Sequence, residues 1–121
     1  MLFGASGLAC LMVLIALVSS AWAWRRPNAR ERTAIIAAAS HTPHAGGSTV
    51  HVSYIRLSTV GPWASATVTI YLHGSPDSAV DILHRIHGSW RNVTVGTSGE
   101  WCVMPVSDQR NLGFPGSYPC H

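Results

Sequence analysis

Trp63-Ala64-Ser65-Ala66-Thr67-Val68-Thr69-Ile70-Tyr71-Leu72 is the stretch that decides the fold. Ala64, Ala66, Val68, Ile70 and Leu72 fall at every second position, with Trp63, Ser65, Thr67, Thr69 and Tyr71 between them. That is the period of a half-buried strand. A turn composition follows in His73-Gly74-Ser75-Pro76-Asp77, and Ser78 to Ile86 repeats the alternation with Val80, Ile82, His84 and Ile86. Gly88 permits the left-handed backbone of a tight turn, so Trp90 to Val95 is predicted to return as a further strand. Upstream, Val50 to Val60 is strand-like, but its apolar positions change parity from Val50, Val52 and Tyr54 to Ile55 and Leu57. A bulge near Tyr54 or Ile55 accounts for the change, and Gly61-Pro62 turns the chain into the central strand.

Before these strands, Pro27-Asn28-Ala29-Arg30-Glu31 carries a helix start. Asn28 can cap the free amides, and Glu31 three residues later can close the reciprocal bond. The predicted helix runs from Ala29 to about Ser40, with Ile35, Ile36, Ala38 and Ala39 as its apolar stripe. Pro43 ends it, because the ring excludes the residue before it from helical backbone. The loop His41 to Gly47 follows. An alanine-rich helix approaches a sheet closely where the sheet is also small, so the helix is expected across Ala64, Ala66, Val68, Ile70, Val80 and Ile82. The predicted fold class is α+β, one N-terminal helix on a curved antiparallel sheet of about four strands.

Beyond Val95 the periodicity stops. Gly96-Thr97-Ser98-Gly99 reads as a connector, Val106 to Leu112 as a turn or two of helix, and Phe114 to Pro119 as irregular chain. Such a tail needs an external restraint. The cysteines supply one, given the character of the N-terminus.

Residues 1–23 read as a signal peptide, with no charged side chain, an apolar run from Leu8 to Val18, and Ala21-Trp22-Ala23 as an A-x-A cleavage site. Residues 24–28 then form a basic N-terminal segment and 29–121 the single domain. No Lys or Arg precedes the apolar run, and the alternative is an uncleaved anchor over Leu2 to Trp24. Of three cysteines, Cys10 lies in the leader, leaving Cys102 and Cys120 as an even pair in an oxidising compartment. Their bridge would tie down the irregular C-terminal segment of a chain that, once processed, is under about 100 residues and has a marginal core. The expected location is secreted, or held at the outer face of the cytoplasmic membrane.

The net charge of +3 comes entirely from arginine, since the chain has no lysine. Arg25, Arg26, Arg30 and Arg32 fall close together, a candidate patch for an anionic cell-envelope surface. Another protein is the alternative partner, and contact with a membrane would come only through an uncleaved leader. Nucleic acid is not expected, because the basic stretch has no interleaved aromatics beyond Trp24. Trp63 and Tyr71, on the face opposite the alanines, would be exposed aromatic contact residues unless the tail from Trp101 folds back over them.

Catalytic and metal chemistry find little support. His84-x-x-His87 would point to opposite faces if it lies on a strand, and His41-x-x-His44 is interrupted by Pro43 with no cysteine or carboxylate beside it in sequence. No metal site and no cofactor are therefore expected. The five carboxylates form no acid–base pair in sequence, no Gly-x-Ser-x-Gly elbow or phosphate loop is present, and oxidised cysteines offer no thiolate. The remaining route to an enzyme, or to a small-ligand carrier, is a pocket between helix and sheet in which His84 acts as base. Asn92-Val93-Thr94 matches an N-glycosylation acceptor.

Glu31-Arg32-Thr33-Ala34-Ile35, then Leu57 to Ala64, then Gly88-Ser89-Trp90-Arg91-Asn92-Val93 and the closing cysteine pair resemble a group of small exported proteins of unassigned function from high-GC Gram-positive bacteria. The likeness covers residues 29 to 120. It implies a helix on a curved antiparallel sheet, similar to cystatin-like or NTF2-like architectures, and implies export. It carries over no catalytic residue, and Gly61-Pro62-Trp63 lacks the acidic residue that such sequences often place there. The expectation from all of these features is a small exported binding module.

Overall fold

A computed structural model describes residues 23–41, 49–72, 74–115 and 120. The apolar leader with Cys10, and the loop holding Pro43 and His44, lie outside the described residues. Among those described, no helix is long and apolar enough to cross a membrane.

Helix α1 spans Ala29–Ser40. It starts at a capping box in which Asn28 Oδ1 accepts from the Glu31 N–H at 2.8 Å and Glu31 Oε1 accepts from the Asn28 N–H at 3.0 Å. Two orphan amides are thereby satisfied where a helix would otherwise fray. Strands β1 (Val50–Leu57), β2 (Trp63–Leu72), β3 (Ser75–Ile86) and β4 (Ser89–Gly96) form one antiparallel meander in the order β1-β2-β3-β4. A short 3-10 turn, Glu100–Val103, and helix α2, Val106–Asn111, complete the chain.

The bulge in β1 lies at the expected place. Ladder pairing passes from Ser53↔Thr67 directly to Arg56↔Ser65, which leaves Tyr54 and Ile55 as the inserted pair. Tyr54 takes a left-handed backbone with φ 50. The extra residue resets the parity so that Val52, Ile55 and Leu57 are all buried in one core, while Tyr54 is turned out to 77% exposure.

The β2–β3 turn is tighter than its composition predicts. Leu72 pairs with Ser75 around Gly74 at φ 81, so β3 begins at Ser75 rather than Ser78. Pro76 is tolerated there because β4 pairs with β3 only from Val80 onward. The first residues of β3 thus have one free side, and a missing N–H costs no ladder bond.

The sheet carries a core on each face. Against α1, Ile35 and Ala39 pack on Val52, Ile55, Leu57, Ala64, Ala66, Val68 and Leu83. On the other face Ile82, Met104 and Leu112 are buried with Trp24, Trp63, Val80, Trp101 and Phe114 around them. Val80 and Ile82 therefore do not lie beneath the helix, contrary to the sequence expectation. Register explains it, since directly opposed residues share a face: Ala64 pairs with Leu83 and Ala66 with Asp81, whereas Ser65 pairs with Ile82 and Thr67 with Val80. Asp81, fully buried on the helix side, accepts a hydrogen bond from Asn92 Nδ2. The Asn92 amide of the glycosylation motif is thus half-buried and already engaged in the folded chain.

The tail is held covalently and by polar pairing. Cys102 and Cys120 are disulfide-bonded with their Cα atoms 5.2 Å apart. Ser58 Oγ donates to Asp108 Oδ1 at 2.7 Å, the Thr59 N–H donates to Asn111 Oδ1 at 3.0 Å, and Asn111 Nδ2 donates to Thr59 Oγ1 at 2.8 Å. Gly61 lies so close to the Asp108 carboxylate that a Cβ there would overlap it. These contacts knot the β1–β2 turn to α2 and leave the buried Ser58, Asp108 and Asn111 side chains paired.

Candidate functional site

The four clustered arginines divide between two roles once folded. Arg25 is structural. Its backbone makes an antiparallel bridge to Leu57, with both N–H to O distances at 2.9 Å, and its guanidinium grips Glu31 through two bonds of 2.8 and 2.6 Å. The Arg25 hydrogen bond, assisted by the Asn28 N–H, holds the Glu31 carboxyl down at about 2 against its ordinary 4.5 despite partial burial. The same bond raises the Arg25 pKa. Residues 24–28, read as a basic lead-in to the domain, are consequently a strap seated on it, with Trp24 packed into the second core.

Arg26, Arg30 and Arg32 remain exposed. Arg26 and Arg32 line a hollow of about 320 Å³ together with Trp24, Tyr54 and Arg56, whereas Arg30 is not among its lining residues. No carboxylate is present among those lining residues. The Arg56 guanidinium carbon lies 4.8 Å from the centre of the Trp24 ring, a cation–π geometry, and its Nη1 donates to the Leu112 carbonyl at 3.4 Å. A second hollow of about 360 Å³ adjoins the first, sharing Tyr54 and Arg56 and adding Ser65, Thr67 and Phe114.

The sequence-predicted aromatic pair separates. Trp63 is half-buried and stacks on His84 with ring centres 4.0 Å apart and planes 10° from parallel. Tail residues Met104, Leu112, Trp101 and Phe114 share the core on that face. Tyr71 stays 55% exposed. His84 therefore lies on the face opposite α1, not in the helix–sheet interface where the carrier reading placed it. Its partner in sequence, His87, is an exposed turn residue at φ 51. Among the described residues no group of three metal-ligating side chains converges.

Sequence reasoning passed over Trp24 and Tyr54 as site residues, and Arg56 altogether. One signal was available: the parity break that predicts the bulge also predicts that the residue inserted there is re-aimed. No protein-family model matches the chain, and neither the curated proteins nor the solved structures hold a match to it.

Proposed function

We propose that the chain is a small exported module that binds anionic cell-envelope material, or a partner of similar charge, through the arginine-bearing face around the strap and the start of α1. The observation that carries this is the sorting of charge. Glu31, the one acid close to the cluster in sequence, is engaged by Arg25, so Arg26, Arg30 and Arg32 keep their positive charge for a partner. The disulfide supports an oxidising location, and the apolar leader and the resemblance to small exported proteins support export. Guanidinium groups suit phosphate and carboxylate recognition because their planar fork matches both oxygens of the anion.

The test uses the protein as recovered from its exporting host, mixed with cell-wall fragments and with vesicles containing anionic lipid. Raising salt from about 0.01 M to about 1 M shortens the screening length from roughly 30 to 3 Å. Association is expected to fall steeply over that range, and to fall at low salt when Arg26, Arg30 and Arg32 are replaced together by glutamine. Association that ignores both the salt and the triple replacement rules the proposal out.

A further inference from the structure

The geometry points to the hollow at the Tyr54 bulge as a site for an oxyanion carried on a sugar ring, that is, a phosphorylated or uronic-acid saccharide unit. This rests on the arginine-face reading above and narrows it to one place and one ligand chemistry. Three arginines from three separate parts of the chain line the hollow: Arg26 from the strap, Arg32 from α1 and Arg56 from β1. Like charges lining one hollow repel, and no carboxylate is among the described residues that line it. An anion with two or more oxygens would offset that charge, and its geometry matches the guanidinium fork. Arg56 is already ordered against Trp24 and the Leu112 carbonyl, so little side-chain freedom remains to be lost on binding.

Tyr54 supplies the second half of the argument. A left-handed backbone is unfavourable for a residue with a Cβ, and strain of this kind occurs at turns, as at His87, and clusters at functional sites. Tyr54 regains nothing by burial, being 77% exposed. Besides resetting the parity of β1, the bulge places Tyr54 in the lining of both hollows. An aromatic face packs on the apolar face of a pyranose while the hydroxyl bonds to a ring substituent. Volumes of about 320 and 360 Å³ lie at the small end of ligand clefts. Each suits a single monosaccharide, and two consecutive units of a polymer could share Tyr54 and Arg56.

The protein as recovered from its exporting host would be titrated with glucose 1-phosphate, glucuronic acid, inorganic phosphate and glucose, with backbone amide shifts followed by NMR. Saturable binding of one or both acidic sugars, with shifts centred on Trp24, Arg32 and residues 54–56, is the expected result; the two acids distinguish a phosphate source from a carboxylate source. Arg56→Gln should weaken that binding about tenfold or more. Tyr54→Gly, which removes the ring and tolerates the left-handed backbone, should weaken it while leaving the thermal midpoint unchanged or higher. A purely structural tyrosine would leave the affinity intact. The proposal is overturned if neither acidic sugar saturates, if inorganic phosphate binds as tightly as the sugar phosphate, or if Tyr54→Gly binds like the parent. Failure here alongside retained salt-sensitive envelope association would remove the hollow and leave the surface reading standing; loss of that association with sugar binding retained would do the reverse.

Discussion

The two faces of the sheet are closed in opposite ways. The face under α1 is lined by small and aliphatic side chains, and a regular helix inserts Ile35 and Ala39 against them. The other face is covered by the 3-10 turn, α2 and the turns that flank them, which bring Trp101, Met104, Leu112 and Phe114 onto Ile82, Val80 and Trp63. A helix satisfies its own backbone, so its cost of burial is met locally. The tail does so only in short turns, such as Met104 N–H to the Trp101 carbonyl and Leu112 N–H to the Asp108 carbonyl, and a side chain adds to them: Gln109 Nε2 donates to the Met104 carbonyl at 2.8 Å. The lesson is that a few short helical turns can serve as a core layer when their backbone bonds are made locally or by side chains and their end is crosslinked.

Three perturbations test this contrast. The largest effect is expected from Ile35→Ala, which empties a fully buried position beneath the helix. It should cost about 3 kcal/mol by denaturant unfolding, and should lower the stability of both faces together because they share one sheet. Separate transitions for the two faces would break the picture of a single cooperative unit. Next, replacing Cys102 and Cys120 together by serine opens a loop of 18 residues, worth up to about 3 kcal/mol on the chain-entropy estimate. Tryptophan emission should shift to the red before the sheet melts, as Trp101 leaves Phe114, on which it stacks with ring centres 5.1 Å apart. Unchanged emission and stability would mean that apolar contact alone secures the tail.

The smallest effect belongs to the strap. Because the Glu31 carboxyl sits at about 2 in the folded chain against its ordinary 4.5, the folded state holds its proton less tightly than the unfolded one. Its contribution is complete above about pH 4.5 and is lost as pH falls through about 2. For a pair whose arginine is 47% exposed, that contribution is at most about 1 kcal/mol. Thermal midpoints of the parent and of Glu31→Gln should therefore differ at neutral pH and converge in acid. Parallel curves would show that the Arg25–Glu31 bond does not stabilise the strap.

Most of the architecture could be read from local patterns, and the exceptions have physical causes. Asn28 and Glu31 announce a helix start because the capping box is a matter of spacing alone, and the parity break at Tyr54 and Ile55 announces the bulge for the same reason. The choice of face on β3 was misread. In Ala79-Val80-Asp81-Ile82-Leu83 both parities carry apolar residues, and the aspartate, normally an outward marker, is the one that goes under the helix, where Asn92 satisfies it. Nothing local to residue 81 reveals a partner on the neighbouring strand. The hollow is illegible for a similar reason: Arg26, Arg32 and Arg56 line one hollow only after the strap, helix and first strand are assembled. Arg25, by contrast, looked like one more surface cation until its backbone bridge to Leu57 appeared.

That bridge bears on how an open sheet avoids its neighbours. Such a sheet has two margins, each presenting unpaired amides and carbonyls on which another chain could propagate. Along β1 the strap occupies the ladder at Leu57 and the twist at Tyr54 interrupts the remaining row. Along β4, exposed Arg91 and the offset in the β3–β4 register between Ile82 and Leu83 do the equivalent work. Edge-to-edge fibre growth is thus opposed on both sides, by a docked segment and a kink on one and by charge and a slipped register on the other.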